Sequence, residues 1–521
     1  MFKNEVAEFI YKRTYSRWLD DEKRREDWPE TIERVIEFLS SENEKIPDKT
    51  IRKIRKYMTE FSVMPSMRLV WAAGEAARRD NTVIYNCSFA KMNCVEAFAE
   101  CLHILMCGTG FGFSVEKEEV DKLPAIPEIK SGRDQPSVSI YDSREGWADS
   151  VKTLMSSLYD GQNLYFDYSQ LRPEGARLST MGGRSSGPQP LIKLHDFIRE
   201  TMHNAQGRQL TTLEVHDITN QIAEIVVSGG VRRSSQISLS DIDDKEMRHA
   251  KDWPFPIRRA MANNSAIYRD KPSAADFLVE WGALAKSGTG ERGIFNLLSA
   301  QNKAPTRRYA PLIQGTNPCG EIMLRDMEFC NLSEVVVRAD DDLDSLLDKV
   351  ETATWLGILQ ASFTNFPYLR KTWRKNCTVE RLLGVSLTGQ MDNPSVLTSE
   401  ALKALKSRVL RISRKASTLL EINMPVATTC VKPSGTVSQL VDSASGCHPR
   451  YSEYYIRRYR IASSDPLFKM LKTQGVPYSP ETGQEEDTAT TFVLEFPVKS
   501  PEGCLTRKDI TAMDQLKHYK N

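Results

Sequence analysis

The sequence predicts an α/β fold preceded by a helical N-terminal region, and three observations support this prediction. Residues 1–62 show charged helical periodicity, in which Val35, Ile36 and Leu39 form one apolar stripe. In residues 63–521, short apolar runs alternate with helical stretches, as in α/β proteins with buried strands. The length of 521 residues exceeds that of one small domain. The runs interpreted as strands are NTVIYNCSFA, GFGFSV, AEIVVSGG, SSQISL, GIFNL, LSEVVV and ATTFVLEFP.

The charge balance excludes several classes of function. The chain carries 70 lysine and arginine residues against 69 aspartate and glutamate residues, a formal net charge of +1. This balance argues against a broad nucleic-acid surface and against a polybasic membrane anchor. No apolar run reaches the roughly 18 residues that a membrane span needs. We therefore expect a cytoplasmic protein whose partners are small molecules, with neither nucleic acid nor membrane among them.

Ten cysteines are spread along the chain without a secretion signal, which argues against a structural disulfide framework. They form no Cys-x-x-Cys pair, so we expect no protein-bound zinc. Most of them should be ordinary buried side chains, and a few should be chemical. The cysteines occupy positions 87, 94, 101, 107, 319, 330, 377, 430, 447 and 504.

The segment 116–227 lies between GFGFSV and SGGVRRSS and is long for one crossover connection. It contains a helix-like stretch, SREGWADSVKTLMSSLYDG, followed by a stretch rich in glycine, serine and proline. We interpret it as an inserted subdomain.

The most informative segment is GTNPCGEIMLRDMEFCNLSEVVV, from 315 to 337. Asn-Pro followed by Cys-Gly favours a tight turn, so Cys319 should lie on a loop. Glu321 is two residues away, and Cys330 opens an apolar strand that a hairpin can return to the same place. Taken alone, the segment also fits a buried turn cysteine, a solvated glutamate and a core cysteine.

Two further segments carry candidate chemistry. Cys87 lies on the strand-like run YNCSFA, upstream of a glycine-rich GTGFGFSV that would let backbone approach a ligand closely. In TTCVKPSGTVSQL, the turn 433–436 precedes a possible helix, where backbone N–H groups and hydroxyls can bind phosphate. An ordinary serine-capped turn is the alternative interpretation.

Several motifs in a fixed order resemble ribonucleotide reductase. They are NCSF, GTGFGFSV, VVSGGVRRSS, NPCGEI with CNL shortly after it, and TCVKPSGTVSQL. The adenosylcobalamin-dependent (class II) ribonucleoside-triphosphate reductases are the most similar type, through FIYKRTYSRWL, DSREGWADSV, FDYSQLRPEGARL and GVSLTG. The resemblance extends from about residue 9 to about residue 516.

The resemblance implies a ten-stranded α/β barrel with a central finger loop that carries Cys319 as the radical cysteine. It assigns to Glu321 the removal of the 3′-hydroxyl proton, and to Asn317 a hydrogen bond that orients the substrate. Cys87 and Cys330 become the reducing pair, which ends as a disulfide and therefore needs Cα atoms about 4.4–6.8 Å apart.

The resemblance also implies ligands and partners. Ser434, Gly435 and Thr436 would contact substrate phosphate, with Ser66 and Ser88 as weaker substrate-binding candidates. The cofactor would be adenosylcobalamin, with cobalt as the only metal, and the substrates ribonucleotides, expected as triphosphates. dNTP and ATP effectors would bind the inserted subdomain, a thioredoxin-like protein would be the reductant, and a monomer is favoured over a homodimer.

Two departures from the family pattern leave alternatives open. Only Cys504 follows Cys447, where relatives end in a tail with two nearby cysteines, and the chain stops at DQLKHYKN. We therefore expect the end of the barrel and the redox tail to be missing, with a second polypeptide as their possible source. One alternative is a split or truncated large subunit that binds nucleotide but is active only with a complementary polypeptide. A small-subunit-dependent class I reductase is another, although the Tyr454-Tyr455 pair is differently embedded from that class.

Overall fold

The structure is a computed structural model that describes residues 2–41, 43–130, 137–176, 185–228, 235–463, 465–482, 484–489 and 491–521. The VRRSS motif lies almost entirely outside the described residues. The α-helices are Glu5–Ile10, Trp28–Ser41, Asp48–Thr59, Met67–Ala72, Glu75–Arg79, Val95–Met106, Lys117–Val120, Arg144–Tyr159, Gln189–Asn204, Thr212–Ser228, Lys245–Arg248, Ala274–Ser287, Leu297–Asn302, Leu343–Ser362, Lys371–Glu380, Ser399–Leu420, Thr436–Leu440, Pro466–Thr473 and Ala512–Lys520. Within the described residues, no helix combines the length and the apolar character that crossing a membrane would require.

The N-terminal region is helical, as predicted. Val35, Ile36 and Leu39 are buried, so the apolar stripe faces the core. The Trp28 ring stacks on Phe61, and its Nε1 donates a hydrogen bond to the Met58 carbonyl at 3.1 Å. These contacts dock the first long helix against the end of the helix Asp48–Thr59 and the residues just after it.

Six strands form the larger of the two central sheets. Five of them are parallel, and all of these except the edge strand Gly293–Asn296 are buried along most of their length, which is typical of sheets covered on both faces. The sixth is a two-residue strand that runs antiparallel to its neighbour. In spatial order the strands are Gly293–Asn296, Ala262–Tyr268, Gln236–Asp241, Gly110–Ser114, Cys87–Lys91 and Glu328–Phe329.

A second sheet has three strands, and one segment joins it to the first. Leu332–Val336 runs parallel to Gly384–Thr388 and antiparallel to Val63–Pro65. Glu328–Phe329 in the first sheet precedes Leu332–Val336 in the second, so Cys330 lies where the sheets meet. The fold is therefore mixed α/β, as predicted. Within the described residues the pairings give these two sheets rather than one closed ring of ten strands, and the barrel stays a prediction.

A hairpin crosses the larger sheet and carries the predicted finger loop. Its arms, Gly315–Thr316 and Met323–Leu324, pair antiparallel. A Cβ on Gly112 would collide with the Thr316 carbonyl, and one on Gly315 with the Phe89 ring. The glycines of GTGFGFSV were expected to admit a ligand, but Gly112 admits the hairpin backbone instead.

The remaining strands lie outside these two sheets. Tyr454–Ala462, Thr491–Lys499 and Tyr478–Pro480 form an antiparallel C-terminal sheet, whose Phe496 packs on Phe9 of the first helix. Two small two-stranded sheets pair Trp18–Leu19 with Arg24–Arg25, and Ser137–Ser139 with Tyr165–Asp167.

A buried polar cluster connects segment 116–227 to the α/β body. His103 Nε2 lies 2.9 Å from Asp80 Oδ2 and 3.6 Å from the Cys107 sulfur. Arg144, at the start of a helix in the segment, donates a hydrogen bond to the same sulfur at 3.0 Å. Burial by itself would lower the pKa of His103, but Cys107 and Asp80 outweigh it and raise the pKa to about 10.

We expect this cluster to make stability depend on pH. The folded-state pKa of about 10 exceeds the unfolded value of about 6.5, so the stabilisation is complete below pH 6.5 and is lost as pH rises through 10. In urea titrations, the free energy of unfolding of the wild type should therefore fall between pH 6.5 and pH 10. For His103→Asn it should fall less over the same range. His195→Asn is the matched control, because burial lowers the pKa of His195 to about 3 and its ring stays neutral throughout. If the free energy of unfolding depended on pH equally in the wild type and in His103→Asn, the ion pair of His103 with Asp80 would be contradicted.

Candidate active site

A cavity of about 170 Å³ opens where the tip of the finger hairpin meets the 433–436 turn. Cys87 and Gly110 contribute from two parallel strands of the larger sheet. Cys319 and Glu321 contribute from the hairpin tip. The 433–436 turn and the residue before it contribute Lys432, Gly435 and Thr436. Segments far apart in the sequence thus converge on one space.

The structure brings Cys87 and Cys330 together. The Cys330 N–H donates a hydrogen bond to the Cys87 carbonyl at 2.8 Å, next to the register pair Phe329–Ser88. Residues opposite each other in such an antiparallel pair have Cα atoms roughly 5.5 Å apart, which lies within the range that a disulfide requires. Both cysteines are free thiols.

Cys319 lies on the other side of the Cys87 thiol. The Cys319 contact lowers the pKa of Cys87, but the Cys330 contact and burial together raise it by more. The net pKa of Cys87 is therefore well above the ordinary value. The Cys87 contact and then burial likewise raise the pKa of Cys319. Both sulfurs are therefore protonated at neutral pH, which is the form that can give up a hydrogen atom.

Cys319 is an exposed residue, although the residues around the cavity desolvate its sulfur enough to raise the pKa. A sulfur radical needs shelter from water. The described residues shield Cys319 in part.

Asn317 and Glu321 form one unit within the hairpin tip. Asn317 Nδ2 donates to Glu321 Oε2 at 2.6 Å, and Asn317 Oδ1 accepts from the Ile322 N–H at 2.9 Å. Glu321 Oε1 is buried and accepts no hydrogen bond from the described residues. A buried carboxylate oxygen is costly to leave unpaired, so Oε1 is available to a ligand hydroxyl. Asn317 is buried, and here it orients the carboxylate.

The three predicted phosphate contacts are placed differently from one another. Gly435 and Thr436 line the cavity, at the start of a short helix. Ser434 is buried, and its hydroxyl donates to Glu334 Oε2 at 2.6 Å. The Thr436 hydroxyl donates to Met67 Sδ at 3.1 Å, so the hydroxyls of both Ser434 and Thr436 have partners within the protein.

Ser66 and Ser88 lie away from the described cavity lining. Ser66 caps the helix Met67–Ala72 by accepting from the Leu69 N–H, and donates to the Ile84 carbonyl at 3.2 Å. Ser88 donates to the Gly110 carbonyl at 3.0 Å. Both hydroxyls have partners in the fold, and their role in substrate binding stays a prediction.

Sequence reasoning missed Lys432 and Glu334. Lys432 lines the cavity, and its Nζ lies 3.9 Å from Glu334 Oε1. A single lysine inside the otherwise uncharged run TTCVKPSGTVSQL was a signal that could have identified it. Glu334 is the only charged residue in LSEVVV, which is a similar signal for a buried partner.

Tyr454 and Tyr455 lie on the C-terminal sheet, where they pair with Lys499 and Val498. Neither belongs to the described lining of the cavity. The tyrosine pair thus gives no support to the class I alternative.

Family models match two parts of the chain. Residues 1–75 match "Ribonucleotide reductase alpha domain", and residues 114–202 match "B12-dependent ribonucleotide reductase, insertion domain". The second range overlaps the segment that the sequence marked as an insertion.

Relatives and solved structures agree with these matches. The adenosylcobalamin-dependent ribonucleoside-triphosphate reductase of Levilactobacillus brevis is 28% identical over 95% of this chain and 79% of its own length. The Euglena gracilis protein of the same name is also 28% identical, over 98% of this chain and 73% of its own length. A crystal structure of B12-dependent (class II) ribonucleotide reductase matches with a TM-score of 0.79 and 26% identity, covering 94% of this chain and 81% of the other.

A more distant structure shows the fold alone. The class Id ribonucleotide reductase alpha subunit of Actinobacillus ureae has a TM-score of 0.56 and 14% identity, covering 91% of this chain and 79% of the other. The closer likeness to the class II structure, together with the B12-dependent insertion domain, distinguishes between the classes. In its insertion domain, its relatives and its fold, the chain is similar to the B12-dependent (class II) ribonucleotide reductases.

Proposed function

We propose that this chain reduces ribonucleotides to 2′-deoxyribonucleotides with adenosylcobalamin as its cofactor. The observation that carries the proposal is the convergence of Cys87, Cys319 and Cys330 beside Glu321. The names of the relatives support the same reaction and the same cofactor. A split subunit and a small-subunit-dependent enzyme gain no support from the comparisons.

The residues around Cys319 fit adenosylcobalamin chemistry, because a protonated thiol faces an open cavity. When bound, the cofactor supplies the radical chemistry that begins at this sulfur. The Cys319 sulfur radical then takes the 3′ hydrogen atom of the ribose. Glu321 Oε1, the unpaired oxygen, takes the 3′-hydroxyl proton while Asn317 holds the other oxygen.

Cys87 and Cys330 supply the two electrons and two hydrogens of the reduction. The 2′-hydroxyl leaves as water, a hydrogen is delivered to C2′, and the two sulfurs form a disulfide. Glu321 returns its proton to the 3′-oxygen, and Cys319 finally returns the hydrogen to C3′, which restores its radical. Direct opposition of Cys87 and Cys330 across two strands lets this disulfide form without movement of the backbone.

The finer features of the enzyme are part of the same proposal. The substrates are triphosphates, held by the backbone N–H groups of Ser434, Gly435 and Thr436. The two central sheets belong to a ten-stranded barrel within 63–521, preceded by the helical region 1–62. The insertion 116–227 binds dNTP or ATP effectors, and the cytoplasmic monomer is re-reduced by a thioredoxin-like protein.

A product assay tests the reaction. Each nucleoside di- and triphosphate is incubated with the chain, adenosylcobalamin and dithiothreitol, and deoxynucleotide is quantified. We expect product from the triphosphates that is absent without cofactor and absent in Cys319→Ala. Cofactor-independent product, or none with any substrate, would overturn the proposal.

Glu321→Gln tests the assignment of the base. We expect kcat to fall by about 10² to 10⁴, because an amide keeps the shape of the side chain but cannot accept the proton. The matched control is Glu60→Gln, an exposed glutamate at the end of the helix Asp48–Thr59. An unchanged kcat in Glu321→Gln would remove this residue from the mechanism.

A further inference from the structure

The side chain of Lys432 reaches the cavity that Cys319 and Glu321 line, and the reaction above gives it no role. Its backbone N–H donates to Ser386 Oγ at 3.0 Å, which fixes the start of the 433–436 turn to the strand Gly384–Thr388. The position of this ammonium is thus set by the sheet rather than by a free loop.

Glu334 lies behind Lys432 as a buried counter-ion. One carboxylate oxygen of Glu334 accepts the Ser434 hydroxyl at 2.6 Å, and the other lies 3.9 Å from Lys432 Nζ. The second distance is too long for a direct hydrogen bond. Glu334 therefore compensates the charge of Lys432 and leaves its N–H donors free, since no hydrogen bond joins Nζ to the described residues.

Lys432 also interacts electrostatically with the reacting groups. Burial by itself would lower the pKa of Lys432, but Glu334 and then Glu321 outweigh it and raise the pKa. The side chain is therefore an ammonium ion at neutral pH. The titratable groups that face it are Glu334, Glu321, Cys87, Cys319, Cys330 and Cys430.

We propose that Lys432 is a positioning residue for the reduction, which balances the negative charge that Glu321 passes to the ribose 3′-oxygen. This rests on the proposed function. The role is electrostatic, and no proton leaves Lys432. When Glu321 takes the 3′-hydroxyl proton, its negative charge moves onto the substrate beside a fixed cation in a partly desolvated cavity, where such stabilisation is large.

The cavity offers a second role for Lys432 that the test must separate from the first. An ammonium next to Gly435 and Thr436 could bind a substrate phosphate instead. Its electrostatic partners favour the ribose end of the substrate, because they include Glu321 and the thiols of Cys87 and Cys330. Loss of a phosphate contact would raise KM, whereas loss of charge balance at the 3′-oxygen would lower kcat.

The test compares Lys432→Met and Lys432→Arg in the full chain with adenosylcobalamin. For Lys432→Met we expect kcat to fall by about 10² to 10³ with KM changed less than about threefold. Lys432→Arg should recover kcat to within about tenfold of the wild type, because it keeps the charge.

Two further measurements separate this inference from folding effects and from the proposed function. Lys91→Met is the matched control, since it removes a half-buried ammonium that pairs with Glu119 at 2.7 Å outside the described cavity lining; it should leave kcat unchanged. Tritium exchange between the cofactor's 5′ position and solvent needs Cys319 but not Glu321, so Lys432→Met should keep it.

A large rise in KM at constant kcat, or failure of arginine to restore activity, would overturn the role of Lys432. Absence of reduction and of exchange in the wild type would instead overturn the proposed function.

Discussion

Replacing Cys319 by alanine should reduce ribonucleotide reduction to background. Cys319 is the cysteine that lies at the tip of the hairpin, faces the cavity and contacts the Cys87 thiol. Alanine has no S–H hydrogen to give to a radical and no sulfur radical to take one from C3′, so the first step of the reaction is lost rather than slowed. Deoxynucleotide formation and tritium exchange from the cofactor should disappear together.

The matched control for Cys319→Ala is Cys504→Ala. Cys504 is a half-buried thiol outside the described lining of the cavity, and its loss should leave both activities unchanged. If exchange persisted in Cys319→Ala, another sulfur would have to begin the reaction. Cys87 would be the first candidate, because it contacts Cys319 and lines the same cavity.

Local sequence patterns predicted the parts of the fold that depend on nearby residues. The stripe of Val35, Ile36 and Leu39 is buried as its helical spacing indicated. The turn chemistry of Asn-Pro-Cys-Gly placed Cys319 on a loop, and the structure has it at the tip of a hairpin. Both features are set within about ten residues of sequence, where steric preferences and periodicity act.

The proximity of Cys87 and Cys330 could not be derived from local patterns. It depends on the antiparallel register of Glu328–Phe329 against Phe89 and Ser88, which joins segments that are distant in the chain. Only the resemblance to a family pointed to this pair, because register is decided by packing of the whole sheet.

Hydroxyl groups show a second limit of sequence reasoning. Ser66, Ser88 and Ser434 all resemble ligand contacts in the sequence, yet each is hydrogen-bonded within the protein. A serine can satisfy the backbone or a neighbouring carboxylate as readily as a substrate, and the residue type does not distinguish these cases. Lys432 was missed because its partner Glu334 lies on a strand far away in sequence, so no local pattern joins the two residues.

Replacing Cys330 by serine should separate the start of the reaction from its completion. Cys330 is buried behind Cys87, so it takes no part in generating the Cys319 radical, and tritium exchange should stay within about twofold of the wild type. Reduction should fall to background even with dithiothreitol, because serine cannot form the disulfide that provides two electrons. Without added thiol, the wild type should lose two titratable thiols for each deoxynucleotide formed, and Cys330→Ser none. Cys101→Ser is the control, since Cys101 is equally buried but has Gln236 rather than Cys87 as its partner. Sustained turnover by Cys330→Ser would show that the electrons come from elsewhere, and the pairing of Cys87 with Cys330 would then be only structural.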